Sequence, residues 1–252
     1  MDAAWESPLR RRMRERQPVV GCTLTTSSLD VAARAAAAGF HFLWVELEHS
    51  PLTLETVRNI VLATRGLPAV PIARVAAAEP WMARQALDAG VHGVVVPFVG
   101  TPALARQAAD ACRYPPVGRR GAGEALAAAS WPEAGRYYDS ADANVLVVVV
   151  IEEASALDHL DEIAATPGVD VIFLGTGDLS FSLGLRGRQD DRRIEDAAAA
   201  VLAAATRHGK VAGRPASTPE RARASVDQGF LFIQGPTDLG LFDAAARQFL
   251  EK

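Results

Sequence analysis

Residues 145–153 are VLVVVVIEE and residues 171–178 are VIFLGTGD, two apolar runs that each lead into acidic side chains. Apolar β-branched runs of this length, separated by a helical segment, are typical of parallel strands buried on both faces. The first run ends at Glu152, and Asp178 follows shortly after the second. Because parallel strands end on the same rim of a sheet, both carboxylates should lie where α/β folds build their sites.

A pair of carboxylates on one rim suits a hard divalent cation. Mg2+ and Mn2+ prefer oxygen ligands and usually keep water or substrate oxygens in their other positions, so two protein carboxylates would suffice. The alternative is that Glu152 caps the next helix and that Asp178 belongs to a turn, since acidic residues often fill both roles. The residues of this stretch alone leave both interpretations open.

The composition is that of an ordinary globular protein, and it argues against several classes of function. The chain has 252 residues, of which 49% are hydrophobic and 22% charged, and its net charge is −4. α/β barrels of about 250 residues are usually one domain, so we expect residues 1–252 to form a single domain. Mild acidity argues against nucleic acid or an anionic membrane as a partner. No apolar run approaches the roughly 20 residues of a membrane span. We therefore expect a cytoplasmic protein that acts on a small molecule.

The basic residues, cysteines and lysines narrow the chemistry further. The one basic cluster, at 10–14, is not followed by an apolar run, which favours a surface helix over a targeting segment. Cys22 and Cys112 lie in apolar segments and should be reduced core residues. The only lysines are Lys210, which precedes a predicted strand, and Lys252 at the chain end. Imine chemistry needs a lysine inside the site, so a Schiff-base mechanism is not expected.

Strand and helix patterns alternate along the whole chain. The predicted strands are 19–24, 42–45, 71–73, 93–97, 145–151, 171–174, 211–213 and 231–234. The predicted helices include 28–39, 79–90, 102–113, 131–142, 195–208, 219–229 and a closing helix at 241–250. Eight such repeats predict an α/β fold, a (β/α)8 TIM barrel with an additional N-terminal helix. A doubly wound sheet is the alternative, but the first strand lacks the G-x-G-x-x-G turn that seats a dinucleotide.

The segment 114–121, YPPVGRRG, interrupts this alternation. Its Pro and Gly residues exclude regular structure, and a long connection inside a compact domain is more often functional than idle. We expect this segment to form a wall of the site. Whether Arg119 and Arg120 reach the site or only brace the loop stays open.

Several polar side chains should meet on the rim where the strands end. The second strand is followed by Glu46, Glu48 and His49, and the third ends at Arg74. Each has an unremarkable alternative role, such as an ion pair or a surface group. Together with the two carboxylates described above, they supply a cation site, a positive group for a carboxylate, and a group that titrates near neutrality.

These residues lie in motifs that resemble those of a known family. The motifs are EHSP at 48–51, Arg74, RYPP at 113–116 with GRRG at 118–121, IE at 151–152, and GTGDLS at 175–180. Together they resemble the HpcH/HpaI aldolases, class II metal-dependent enzymes that act on pyruvate-derived 2-oxo acids. The resemblance spans nearly the whole chain. It implies a homo-oligomer, commonly a hexamer, in which the C-terminal helix takes part in packing.

The resemblance also implies a metal and a substrate site. Glu152 and Asp178 would bind the divalent ion, Mg2+ or Mn2+ with Co2+ or Zn2+ as further options, and no organic cofactor is expected. Arg74, Thr176 and Gly177 would contact the 2-oxo acid. In this scheme the cation and the arginine both stabilise negative charge on the enolate oxygen.

Acid/base chemistry is implied for His49. In cleavage, a base removes the proton from the 4-hydroxyl of a 4-hydroxy-2-oxo acid, and the C3–C4 bond then breaks to release an aldehyde. His49, or a water beside it, is the candidate base, with Glu46 or Glu48 orienting the imidazole. We expect replacement of His49 to slow cleavage far more than it weakens metal binding.

The chain departs from many relatives at a few positions, and these departures leave two rivals open. Glu46 stands where Asp is usual, Val150 where some relatives have Gln, and Gly177 within a loop that often contains Pro and Ala. The rivals are a citramalyl- or malyl-CoA type lyase and a non-catalytic protein that binds a 2-oxo acid. A CoA substrate would need a basic surface, for which Arg119 and Arg120 are the only candidates.

Arg214 follows the seventh predicted strand and should reach the same rim. We expect it to meet a distal carboxylate or hydroxyl of the aldehyde half of the substrate. The alternative, a salt bridge to a neighbouring loop, has equal support because arginine often fills that role.

Overall fold

The computed structural model describes residues 5–132 and 136–251. Eight parallel strands close into a barrel in the order β1 to β8, with β1 pairing with both β2 and β8. The strands are β1 Val19–Leu24, β2 Phe42–Glu46, β3 Val70–Arg74, β4 Gly93–Val96, β5 Leu146–Ile151, β6 Val171–Leu174, β7 Val211–Pro215 and β8 Phe232–Thr237. The predicted (β/α)8 barrel is confirmed, and closure between β1 and β8 rules out the open doubly wound sheet.

Helices surround this barrel. They are α1 Pro8–Arg14, α2 Leu29–Ala37, α3 Leu54–Ala63, α4 Pro80–Ala89, α5 Pro102–Ala111, α6 Ala125–Ala128, α7 Tyr137–Asn144, α8 Leu160–Ala164, α9 Thr176–Ser182, α10 Arg192–Arg207, α11 Pro219–Gln228 and α12 Asp238–Leu250. Most of the long helices begin behind a Ser, Thr or Asp whose side chain accepts a backbone N–H of the first turn. No helix in the described ranges is both long and apolar enough to cross a membrane.

Side chains along each strand alternate between the barrel interior and the layer beneath the helices. In β2, Phe42 and Trp44 point inward, where Phe42 stacks on Phe232 and Trp44 contacts Phe173. Glu46 lies two residues after Trp44 and therefore also points inward, which places its carboxylate at the mouth of the barrel. The same alternation decides below which rim residues face the site.

The N-terminal helix closes the far end of the barrel. Leu9 and Met13 of α1 pack into the interior cluster, and the Arg10 guanidinium donates to Asp170 Oδ2 at 2.7 Å, just before β6 begins. The basic cluster therefore lies in a helix, as predicted, but one apolar face of that helix is buried. Lys210 lies on the same far rim, where its ammonium group donates to the carbonyls of Thr166 and Val169.

The prediction that residues 114–121 wall the site is wrong. Helix α5 carries the chain back to the far rim, and there the Tyr114 N–H donates to Asp142 at 3.0 Å. The buried Arg120 guanidinium lies over the rings of Tyr114 and Tyr137 and donates to Asp88 at 3.0 Å. Arg120 therefore braces the loop on the far rim, away from Glu152 and Asp178. The sequence predicts a helix at 131–142, whereas α7 begins at Tyr137. Residues 133–135 lie outside the described residues.

Candidate active site

Glu152 follows β5 directly and is only 2% exposed. Its Oε1 accepts the Phe98 N–H at 2.7 Å, across the gap between the ends of β4 and β5. Burial raises the pKa of Glu152 to about 7, and the Phe98 hydrogen bond partly opposes this shift. Among the described residues, the Phe98 N–H is the one hydrogen-bond donor to this carboxylate, so a bound cation would stabilise its charged form. Glu152 caps no helix in the structure, so the alternative prediction that it is a helix cap is wrong.

Gly175 provides the space beside this carboxylate. A Cβ on Gly175 would lie 2.6 Å from Glu152 Oε2 and 2.8 Å from Val150 Cγ1, both closer than atoms can approach. Helix α9 begins at the next residue, so Asp178 lies in its first turn and not in an isolated turn. The Asp178 side chain is partly exposed at the barrel mouth.

Glu46 and Arg74 are neighbours in the β2–β3 register and form a buried ion pair. Glu46 Oε2 accepts from Arg74 Nε at 2.7 Å and from the Trp44 indole N–H at 3.0 Å. The Arg74 guanidinium lies 5.7 Å from the centre of the Trp44 ring. The hydrogen bond through Nε and the contact with the indole hold the guanidinium in one orientation, and its two Nη groups remain as further donors.

Glu46 also organises the loop that carries the histidine. Its Oε1 accepts the backbone N–H groups of Glu48 and His49 at 2.8 and 3.1 Å. The carboxylate beside the imidazole is that of Glu48, 3.7 Å from His49 Nε2 and 3.1 Å from Arg74 Nη1. Of the two residues proposed to orient the ring, Glu48 is therefore the nearer, and Glu46 acts on Arg74 and the backbone.

His49 lies between the Glu48–Arg74 pair and Asp178. Its Nε2 lies 3.9 Å from Asp178 Oδ2, and its side chain is 55% exposed, open to a ligand at the barrel mouth. Strand β2 thus delivers a titratable group to within reach of the carboxylate delivered by β6. The structure places His49, Arg74, Glu152 and Asp178 on one rim, and their roles there stay a prediction.

The charges at this rim favour a cation. Among the residues that the structure describes, the carboxylates of Glu46, Glu48, Glu152 and Asp178 lie around the guanidinium of Arg74. Burial raises the pKa of Glu48 despite the opposing effect of Arg74. Carboxylate oxygens are the ligands that Mg2+ and Mn2+ prefer, and such ions accept water or substrate oxygens in their remaining positions. The donor set of Glu152 and Asp178 therefore fits a divalent ion with open positions. Within the described ranges no group of three or more Asp, Glu, His or Cys side chains is arranged to hold a metal ion, so the candidate site consists of this pair of carboxylates.

Comparison with known proteins identifies the family. Residues 20–245 match the model of the HpcH/HpaI aldolase/citrate lyase family. The chain belongs to this family. It is 35% identical to the hydroxypyruvate/pyruvate aldolase of Cupriavidus necator, over 96% of this chain and 90% of the relative. It is 32% identical to the 5-keto-4-deoxy-D-glucarate aldolase of Shigella boydii, over 94% and 92% of the two chains.

A solved structure of the same family shares the fold closely. The HpcH/HpaI aldolase/citrate lyase family protein from Burkholderia cenocepacia superposes with a TM-score of 0.90 at 34% identity, covering 97% of this chain and 98% of that one. Family membership makes this chain an enzyme of the aldolase (lyase) type, as the motif resemblance predicted.

Thr176 and Gly177, both predicted to bind substrate, differ from each other in their surroundings. The buried Thr176 hydroxyl donates to Gln189 Oε1 at 2.6 Å, a contact within the protein. Gly177 lies in the first turn of α9, where backbone N–H groups lack a partner inside the helix, and no atom lies within 4 Å of the position a Cβ would take. Gly177 is thus accessible to a ligand, whereas Thr176 is already hydrogen-bonded.

Arg214 is not brought together with the carboxylates. It belongs to the outward-facing set of β7, where its guanidinium donates to Glu195 at 3.0 Å and Gln228 at 3.2 Å and lies over the Phe230 ring. The salt-bridge alternative therefore describes its contacts. Arg214 also lines a polar cavity of about 710 Å3, and Thr176 lies in the wall of the same cavity.

Sequence reasoning missed two residues of this aldolase site. Trp44 could have been found, because strand alternation puts it on the same face as Glu46 two residues later. Phe98 could not, because it acts through its backbone N–H and an apolar residue after a strand carries no chemical signal.

Proposed function

We propose that this enzyme is a divalent-metal-dependent aldolase that reversibly cleaves a 4-hydroxy-2-oxo acid to pyruvate, or a close 2-oxo acid, and an aldehyde. The observation that carries the proposal is the convergence of a buried ion-paired arginine, an exposed histidine and two carboxylates on one rim. The relatives named above support it, because one is named for hydroxypyruvate and pyruvate and another for a keto-deoxy sugar acid.

Glu152 and Asp178 would hold the cation. A divalent ion in this position acts as a Lewis acid toward the oxygens of a bound 2-oxo acid. The protein contributes a carboxylate whose direction is set by the Phe98 N–H and a second on the first turn of α9. The Gly177 N–H would donate a hydrogen bond to the substrate carboxylate.

Arg74 would stabilise the charge that develops on the 2-oxo oxygen as the C3–C4 bond breaks. Its Nε is bound to Glu46 and its Nη1 lies beside Glu48, so the guanidinium is oriented before substrate arrives. Preorganised donors of this kind stabilise a transition state without reorganisation during the reaction.

His49 would take the proton from the 4-hydroxyl group. The bonding electrons of that O–H then form the aldehyde carbonyl, and the electrons of the C3–C4 bond pass into the three-carbon fragment, whose oxygen would face Arg74. This fragment becomes pyruvate when its C3 takes up a proton from solvent. In the condensation direction, protonated His49 returns the proton to the new hydroxyl. The Glu48 carboxylate lies 3.7 Å from the Nε2 atom of this ring.

The enzyme would act as a homo-oligomer. The family resemblance described above implies that this is commonly a hexamer. Supporting this, α12 carries a set of large apolar side chains that lie in solvent in a single chain, including Phe242 at 70% and Phe249 at 86% exposure. A second copy of the chain would cover them. The CoA-lyase alternative receives no comparable support, because Arg120 is buried in a brace on the far rim.

Proton NMR of pyruvate in D2O tests the proposed reaction. We expect loss of the methyl signal with Mg2+ or Mn2+ and none without a divalent ion, because forming the nucleophile exchanges the methyl protons. The Glu152→Ala/Asp178→Ala double variant should lose this exchange. A matched control, Asp158→Ala/Glu162→Ala, removes two carboxylates from the outer surface and should retain it. Absence of exchange with every divalent ion, in folded wild-type protein, would contradict the proposal.

A further inference from the structure

Phe98, directly after the Pro97 that follows β4, has an unfavourable backbone conformation. Its φ is +51°, in the left-handed region, which among the described non-glycine residues only Arg16 and Arg186 share. An L-residue there carries a steric cost, and bulky side chains occupy this region rarely. The Phe98 ring is 40% exposed, so its burial offsets little of that cost. Strained residues of this kind persist where the surrounding structure holds them, and they cluster at functional sites.

Flanking contacts hold Phe98 in place. The Val99 N–H donates to the Val150 carbonyl at 3.1 Å, which ties the segment to β5. The Gly100 N–H donates to the Phe98 carbonyl at 3.0 Å, and a Cβ on Gly100 would lie 2.6 Å from Glu153 Oε2. The turn after β4 is thus packed tightly against the end of β5.

This conformation directs the Phe98 N–H at Glu152. The bond to Oε1, at 2.7 Å, is the one hydrogen bond that the described residues make to this carboxylate. Gly175 leaves room on the side of Oε2. We infer that Phe98 is a positioning residue for Glu152, and that its left-handed backbone, not its ring, holds the carboxylate in place for a divalent cation. This inference rests on the proposed function.

A series of substitutions at position 98 separates the backbone from the ring. Gly and Asn adopt the left-handed region readily, whereas β-branched Val and Ile strongly avoid it. We expect Phe98→Gly and Phe98→Asn to bind Mn2+ within about 3-fold of wild type, because the N–H stays aimed at Glu152. Phe98→Val and Phe98→Ile should bind about 10–100-fold more weakly, the usual effect of losing a partner that orients a metal ligand.

If the Phe98 ring positioned Glu152, the order of Mn2+ affinities would be reversed. The Val and Ile variants, which keep an apolar side chain, would then bind more tightly than the Gly and Asn variants. The measurements are Mn2+ affinity by isothermal titration calorimetry and Tm without metal. Arg16→Val is the matched control: it places a β-branched residue at φ +57° on the far rim, so Tm should fall while Mn2+ affinity stays unchanged. If Phe98→Val does not fold, Phe98→Ala replaces it and should bind more weakly than Phe98→Gly.

Hydrogen exchange gives a second readout that needs no metal. The Phe98 amide should be protected in the wild type, because it is bonded to a buried carboxylate. An unprotected amide, or Val binding Mn2+ as tightly as Gly, would overturn the inference while leaving the metal site intact. A folded wild type that binds no divalent ion would overturn the metal-dependent proposal, and the inference with it.

Discussion

Replacing Gly175 with alanine should weaken cation binding although both carboxylate ligands remain. The new methyl carbon would lie 2.6 Å from Glu152 Oε2, whereas ordinary contact begins at 3.4 Å, so the carboxylate must move by about 0.8 Å. Metal–ligand distances tolerate only about 0.2 Å. The φ of Gly175 is −86°, which alanine adopts without strain, so the effect comes from crowding alone.

We expect Gly175→Ala to bind Mn2+ about 10–100-fold more weakly, as for other changes that displace a metal ligand. Crowding a packed site should also lower the free energy of unfolding by about 1–3 kcal/mol. Calorimetric titration with Mn2+ measures the first quantity and urea denaturation of the metal-free protein the second. Pyruvate methyl exchange should fall in parallel with the loss of bound cation.

Gly121→Ala is the control for this substitution. It adds the same methyl group on the far rim, where the nearest atom, Arg84 Nη1, lies 3.8 Å away. Mn2+ affinity should therefore equal that of the wild type. If Gly175→Ala folds and binds Mn2+ with wild-type affinity, the reasoning that Glu152 is held against Gly175 as a metal ligand is refuted.

Three further predictions concern individual side chains. His49→Ala should slow aldol cleavage about 10²–10⁴-fold, the range of general acid–base catalysis, with little change in Mn2+ affinity; equal loss of both would indicate a structural role. Arg214→Ala should lower kcat/KM more for hydroxylated aldehydes than for unsubstituted ones, because Glu195 already neutralises its charge; an equal decrease, measured by a coupled aldehyde assay, would leave only the salt bridge. Burial lowers the pKa of His92 to about 4, so the folded state resists a proton that the unfolded chain accepts near 6.5. Stability should therefore fall by about 2 kcal/mol from pH 7 to pH 5 in denaturant titrations, and His92→Phe should remove this part of the loss.

Much of the architecture could be predicted because it follows from local pattern. The β-branched runs that predict β5 and β6 form those strands, and polar residues after β2, β3, β5 and β6 meet on one rim because parallel strands end together. The error at residues 114–121 came from treating loop length as a sign of function. A helix that follows a strand returns the chain to the opposite rim, so this loop could not reach the site.

The side-chain pairings within the site were harder to predict. Glu46 ends β2 and Glu48 follows two residues later, yet only the packed structure shows that Glu46 holds Arg74 and that Glu48 lies beside His49. For Arg214, the direction depends on the phase of β7, since a shift of one residue would have turned it into the barrel.

Strand order, the rim and the identity of its charged groups follow from periodicities of two and about four residues, which neighbouring residues specify. The direction of Glu152 does not. It depends on a backbone N–H of Phe98 and on the empty space at Gly175, which lie 54 and 23 positions away along the chain. Contacts between such distant segments form only when the barrel closes and their geometry is set by packing, so no local pattern in the sequence encodes them.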